Sequence, residues 1–194
     1  MIGKNNTKTP TFLCNPLNKN KIRLNEKEVK NMTTMDNLKE AFAGESKANR
    51  KYLAYAKKAD EEGHSQVAKL FRAAAEAETV HAHNHLTIMA GINSTEENLK
   101  DAIEGEIEEF EEMYPDFIKE AKADENKKAV WTFDVANQVE EIHAGLYQKA
   151  LEALGNNEEV DYYVCGYCGN TVENEAPDVC PVCRAMKSDF FKVD

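Results

Sequence analysis

The sequence offers little to a membrane, a nucleic acid or an oxidising compartment. No apolar run approaches the roughly 20 residues of a membrane-spanning helix, and the N-terminus lacks the continuous apolar stretch of about 7–15 residues that marks a signal peptide. Basic residues are in deficit, with 24 Lys and Arg against 35 Asp and Glu in 194 residues. The resulting charge of −11 has the wrong sign for a phosphate-binding surface. Five cysteines are too few for a disulfide scaffold. Four of them fall into two C-x-x-C pairs, which in a cytosolic chain reads as metal binding. No G-x-G-x-x-G fingerprint occurs, so direct NAD(P)H binding is not supported. The expectation is a cytoplasmic protein with neither nucleic acid nor membrane as partner.

Residues 1–33 are expected to form a disordered arm. The first 31 hold seven Asn, seven Lys or Arg and two Glu, about +5 in charge, with no periodic apolar face. Met32 and Met35 stand just before the first patterned segment, so the arm is either a functional extension or lies upstream of the true start. Cys14, alone in it, is given no role.

Residues 34–155 read as four long helices rich in Ala, Glu, Lys and Leu. The first spans about Asp36 to Glu62 and stops at Gly63. The second starts near Ser65, a candidate N-cap, and stops at Gly91. Ser94 and Glu97 have capping-box spacing for the third, which Pro115 should kink or break. The fourth runs from about Asp124 to Leu154. Four such helices with mostly short connections imply a mainly α, antiparallel four-helix bundle. Residues 156–194 form a separate tail, in which Tyr162-Tyr163-Val164 is strand-like and Gly, Pro and Cys punctuate the rest. A segment this small needs a metal staple.

The bundle contains an internal repeat. Ala41-Phe42-Ala43-Gly44-Glu45 resembles Ala102-Ile103-Glu104-Gly105-Glu106 at an offset of 61, and Glu78-x-x-His81 resembles Glu140-x-x-His143 at an offset of 62. Residues i and i+3 share a helix face, so a carboxylate and an imidazole can grip one ion together. One Glu from each of two helices and Glu-x-x-His from each of the other two is a known recipe for a di-metal carboxylate centre. Its hard oxygens and two imidazoles suit iron or manganese.

Most of the 25 Glu in the chain belong to solvated helix surface. Glu45, Glu78, Glu106 and Glu140 differ because they interrupt apolar stripes, where an unpaired ion is expensive. Glu61-x-x-His64 fails this test: Lys57 and Lys58 share its face and Gly63 ends its helix. His83 and His85 read as surface residues. Glu109 lies three residues after Glu106, and is either a seventh ligand or one more solvated Glu beside Glu108, Glu111 and Glu112. In the tail, Cys165, Cys168, Cys180 and Cys183 can supply four thiolates to zinc or a single iron.

An acidic di-metal bundle followed by a four-cysteine tail resembles the rubrerythrin family. The resemblance is carried by Gly44-Glu45-Ser46, Glu78-x-x-His81, Gly105-Glu106-x-x-Glu109, Met113-Tyr114-Pro115, Glu140-x-x-His143 and the paired cysteine knuckles. It implies a ferritin-like bundle with a rubredoxin-like domain. It also implies seven di-iron ligands, Glu45, Glu78, His81, Glu106, Glu109, Glu140 and His143, with Tyr52 and Tyr114 supporting the carboxylates. Iron becomes the favoured metal at the four cysteines, with zinc the alternative.

The implied function is a homodimeric non-haem di-iron peroxidase that protects against oxidative stress. Hydrogen peroxide would be reduced to water, and one iron would exchange His81 for Glu109 on oxidation. Electrons would pass from NAD(P)H through a separate reductase or rubredoxin to the tail, and from there to the bundle of the partner subunit. The alternative is a ferritin-like ferroxidase or iron-handling protein, which needs neither Glu109 nor an electron-carrying tail. A zinc-ribbon binding module on a helical scaffold is disfavoured by the charge and by the carboxylate and imidazole ligands.

Overall fold

The computed structural model describes residues 32–194; Cys14 and the rest of the expected arm lie outside them. The chain divides into two compact units, the first ending at Met89 and the second running from Ala90 to Asp194.

The first unit is an antiparallel helix pair, α1 (Thr34–Glu61) and α2 (Ser65–Ile88). Thr33, expected to lie in the arm, instead caps α1 in a reciprocal capping box with Asp36. The turn at Gly63 has φ +80, a conformation that costs an L side chain roughly 1–2 kcal/mol. Ser65 is the first helical residue rather than the cap. That position belongs to His64, whose side chain makes no capping bond. The helices approach through small residues, with Ala56, Ala59, Ala68, Ala75 and Ala82 all buried. Asn49 ties them together, its amide donating to Ala75 O at 2.8 Å and Thr79 Oγ1 at 2.9 Å.

The second unit begins with α3 (Thr95–Glu108), opened by the expected Ser94–Glu97 capping box. A π-helical turn, Glu109–Met113, follows, then α4 (Tyr114–Ala123) with Pro115 in its first turn. The expected disruption near Pro115 is thus a widened turn within one continuous rod. Proline is tolerated because the first-turn amides of a helix need no intrahelical partner. Asn126 caps α5 (Lys127–Glu152), its side chain accepting from the amide of Ala129 at 3.1 Å. The expected start at Asp124 is therefore three residues early.

Three short strands complete the unit: β1 (Tyr162–Cys165), β2 (Thr171–Glu173) and β3 (Phe190–Val193). They form an antiparallel sheet in the order β2-β1-β3. Val164 pairs with Thr171 on one side and with Phe191 on the other. The chain is mainly α with a small β tail, as expected. Among the described residues, no helix is long and apolar enough to cross a membrane.

Candidate metal centres

Three groups of ligand-type side chains converge: Glu45, Glu78 and His81 in the first unit, Glu106, Glu140 and His143 in the second, and the four cysteines of the tail. Within each group the ligand atoms lie within 4.8 Å of one another.

In the first unit, α1 supplies Glu45 and α2 supplies the i,i+3 pair. His81 Nδ1 lies 2.9 Å from Glu78 Oε2. The Glu78 side chain is 18% exposed and that of His81 54%. Tyr52 sits in an aromatic cluster with Tyr55 and Phe71, at ring-centroid distances of 6.4 and 6.2 Å. Among the described residues, no hydrogen bond joins it to a carboxylate.

In the second unit, α3 supplies Glu106 and α5 supplies Glu140 and His143. His143 Nδ1 is 2.8 Å from Glu140 Oε2 and 3.8 Å from Glu106 Oε1. Partial burial, followed by repulsion from Glu140, pushes the Glu106 carboxyl up to about 7. Glu109 occupies the first position of the π turn and is half-buried. Its carboxyl is raised by desolvation and then by Glu140 and Glu108. Tyr114 is raised by burial and then by Glu140, Glu109 and Glu106, which keeps its phenol protonated. Tyr147 is raised likewise, by burial and then by Glu106 and Glu140. Carboxylates gathered in a half-buried setting relieve their repulsion by binding a cation, so the donor set fits a metal.

The thiolate group fits a metal more closely still. Cys165 Sγ and Cys183 Sγ are 3.6 Å apart, and Cys168 Sγ and Cys180 Sγ are 3.7 Å apart. A tetrahedral centre with metal–sulfur bonds of about 2.3 Å has edges of about 3.8 Å. Backbone amides from Asn170, Val182, Cys183 and Ala185 serve these sulfurs and oppose the burial that still leaves the Cys168 and Cys183 thiols raised. Cys180, served by the amides of Cys183 and Val182, is brought down to about 7 against that burial. The knuckles are built for sulfur anions.

The tail lies against α5 of its own chain. Thr171 Oγ1 on β2 is 3.0 Å from His143 Nε2. Lys149 on α5 pairs with Glu173 at 2.5 Å. A Cβ built on Gly169 would stand 3.8 Å from Val139 Cγ1.

The sequence reading placed every expected ligand in one of these groups or, for Glu109, beside one. His83 and Glu61 are exposed surface residues, and Glu61 lies 3.8 Å from Lys58. It missed Thr171, Asn49, Tyr147 and a second aromatic trio. Tyr114, Phe117 and Phe133 cluster at centroid distances of 5.6–6.3 Å, at an offset of 62 from Tyr52, Tyr55 and Phe71. The repeat was the signal that could have found this trio.

Comparison with known proteins agrees with this geometry. The family model described as Rubrerythrin matches residues 36–151, and that described as Rubrerythrin, rubredoxin-like domain, matches residues 163–191. Rubrerythrin-2 of Clostridium acetobutylicum is 34% identical over 84% of this chain and 97% of its own length. Nigerythrin of Nitratidesulfovibrio vulgaris is 35% identical over 81% of this chain and 85% of its own. The solved structure of nigerythrin in a mixed-valence state superposes with a TM-score of 0.51 at 34% identity, covering 84% of this chain and 87% of that one. The donor sets match that family's cofactors, two non-haem irons at Glu and His groups and one iron at four cysteines. With its bundle and its tail both matched, this chain belongs to the rubrerythrin family of ferritin-like di-iron proteins of oxidative-stress defence.

Proposed function

We propose that this protein is a peroxidase that reduces hydrogen peroxide to water. The balance is H2O2 plus two protons and two electrons, giving two H2O. The electrons come from NAD(P)H by way of a separate reductase or rubredoxin and enter at the four-cysteine iron. The observation that carries the reading is the packing of the cysteine-bearing tail, through Thr171 and Glu173, on α5, the helix that bears Glu140-x-x-His143. A redox cycle needs an electron entry beside the reacting centre, whereas an iron store does not.

Bound in the bundle, the iron pair supplies two electrons and the Lewis acidity that polarises both peroxide oxygens. The chain does the rest. Glu45, Glu78 and His81 hold metal in the first unit, and Glu106, Glu140 and His143 hold it in the second. Glu109 is a further carboxylate for the oxidised state, in which a harder cation prefers oxygen to imidazole. Tyr114 keeps its phenolic proton through the pH range where carboxylates are ionised, so its Oη–H remains a donor beside them. We further assign the working form as a homodimer.

The deciding measurement is anaerobic turnover of the iron-loaded full chain with NADH, a rubredoxin reductase and hydrogen peroxide. Peroxide loss at one molecule per NADH, with visible thiolate-to-iron absorption bleaching and recovering, is the expected result. Absence of peroxide turnover together with oxidation and retention of added ferrous iron would replace this reading with a ferroxidase.

A further inference from the structure

The two Glu-x-x-His motifs are equal in sequence but not in surroundings. Each histidine turns Nδ1 toward its own motif's glutamate, at 2.9 Å for His81 and 2.8 Å for His143. Only His143 has partners on the far side of its ring among the described residues, Thr171 Oγ1 at 3.0 Å from Nε2 and the backbone of Gly169. That hydroxyl comes from the tail, 28 residues further along the chain. The His143 side chain is 26% exposed against 54% for His81.

The direction of the bond follows from counting hydrogens. A threonine hydroxyl has one proton to give. Thr171 Oγ1 gives it to Gly169 O at 3.1 Å. With its proton on Gly169 O the hydroxyl is an acceptor toward His143, and the Gly169 backbone also bonds to the ring, so this arrangement places the hydrogen on His143 Nε2. A neutral imidazole with Nε2–H leaves a lone pair on Nδ1. That lone pair faces Glu140 Oε2 and Glu106 Oε1. In that tautomer the Nδ1 lone pair and the two carboxylates converge, an arrangement that a cation completes.

We propose that Thr171 is a positioning residue: its hydroxyl holds His143 as the Nε2–H tautomer and in the rotamer that presents Nδ1 to the metal. The tail is thus part of the ligand scaffold of α5 as well as an electron carrier. The hydroxyl is itself held rigidly. Thr171 is paired with Val164 in the β1–β2 ladder, and Cys165 follows directly on β1. Gly169 gives its amide to Cys165 O at 2.9 Å and its carbonyl to Thr171. The Lys149–Glu173 ion pair makes a second link between β2 and α5, six residues further along the helix. The knuckle, once closed on its metal, therefore fixes where the Thr171 oxygen stands.

This inference rests on His143 being a metal ligand, and the experiment separates the two. The full chain carrying one equivalent of zinc fills the cysteine group and leaves the bundle free for anaerobic titration with ferrous iron. His143→Ala tests the ligand reading, and Thr171→Val and Thr171→Ser test the hydroxyl. The expected result is iron binding weakened about 10–100-fold by Thr171→Val, the usual effect of removing a ligand's hydrogen-bond partner, with near wild-type binding in Thr171→Ser. If His143→Ala weakens binding and Thr171→Val does not, the positioning role is wrong. If neither does, His143 is not a ligand. Should Thr171→Val also loosen the zinc knuckle, long-range 1H–15N spectra of the one-zinc wild type, at a pH where the ring is neutral, decide the matter. The Nε2–H pattern at His143 supports the proposal, and the Nδ1–H pattern overturns it.

Discussion

The amide of Tyr114 donates to the carbonyl of Glu109, five residues back. This single i to i+5 bond explains a discrepancy in the repeat. Glu106 follows Glu45 by 61 residues, but Tyr114 follows Tyr52 by 62. One residue has been added between Glu106 and Tyr114, and the second half absorbs it as a π turn while α1 runs unbroken. On a plain α-helix, Met113 would stand two turns after Glu106. The extra residue hands that place to Tyr114, whose phenol pKa is raised by burial and then by the charges of Glu140, Glu109 and Glu106. π turns of this kind frequently mark functional positions.

Glu109 is the residue most exposed to test. Glu109→Ala should still bind two irons per chain, because six other ligands remain. Its peroxide step should slow about tenfold, which corresponds to roughly 1.4 kcal/mol of barrier. Stopped-flow reaction of the reduced protein with peroxide measures this. In crystals, iron should lie nearer Glu109 in the oxidised protein than in the reduced one. Indifference of both rate and iron position would make Glu109 a surface residue.

Glu140 lies 2.8 Å from His143, bonds to Glu106, and its charge raises the pKa of Glu109 and Tyr114. Glu140→Ala should cost one metal per chain and most of the peroxide activity, measured by metal analysis of the purified protein. Full metal content in this variant would remove Glu140 from the ligand set.

The metal-free bundle should lose stability as pH rises. Glu106 is raised to about 7 by burial and Glu140, and Glu109 is raised for similar reasons. A carboxyl with a raised folded-state pKa favours folding fully below its unfolded value near 4.5, and that contribution disappears as pH climbs through the folded value. His143 is also raised, chiefly by its bond to Glu140, so its contribution is present below 6.5 and is lost above its folded value. All three act in the same direction. The melting temperature of chain with zinc only at the cysteines should fall between about pH 5 and pH 8. Glu106→Gln should flatten that fall, and ferrous iron should abolish it. A melting temperature that rises over this range would contradict the assignment.

Cys180 accepts amides from Cys183 and Val182 and is fully buried. Cys180→Ala should abolish the visible thiolate-to-iron absorption and open the knuckle. Turnover with an external reductase should stop, although dithionite-reduced bundle iron still reacts with peroxide. Continued reductase-driven turnover would show that electrons enter elsewhere.

Much of the centre was legible in the sequence because it is written locally. Glu78-x-x-His81 and Glu140-x-x-His143 lie within single helices, so helical period alone brings their side chains together. The Ser94 cap and the four-cysteine knuckles are equally local. What escaped was non-local or a matter of one residue. Thr171 meets His143 only because a strand folds back on α5, and no spacing rule links a β residue to a helix 28 positions earlier. The π turn was visible in principle, since the offset changed from 61 to 62, but the change gains meaning only when Tyr52 and Tyr114 are aligned. The ends of α2 shifted for a similar reason. The left-handed residue there is Ala90, with φ 55, one place before the glycine expected to stop it.

The unequal surroundings of His81 and His143 have a mechanical meaning. His143 is held at Nε2 by Thr171, a residue of the sheet, while its Nδ1 lies 2.8 Å from Glu140, so turning the ring disturbs the tail as well as the helix. His81 is held at one nitrogen and otherwise faces solvent, so its ring can swing about χ1 and χ2 for little more than the bond to Glu78. The molecule thus carries one stiff imidazole and one compliant imidazole. The exchange of His81 for Glu109 proposed above would then fall on the softer ligand. Two motifs of equal spacing thus differ in stiffness, and a threonine from the tail is one source of the difference.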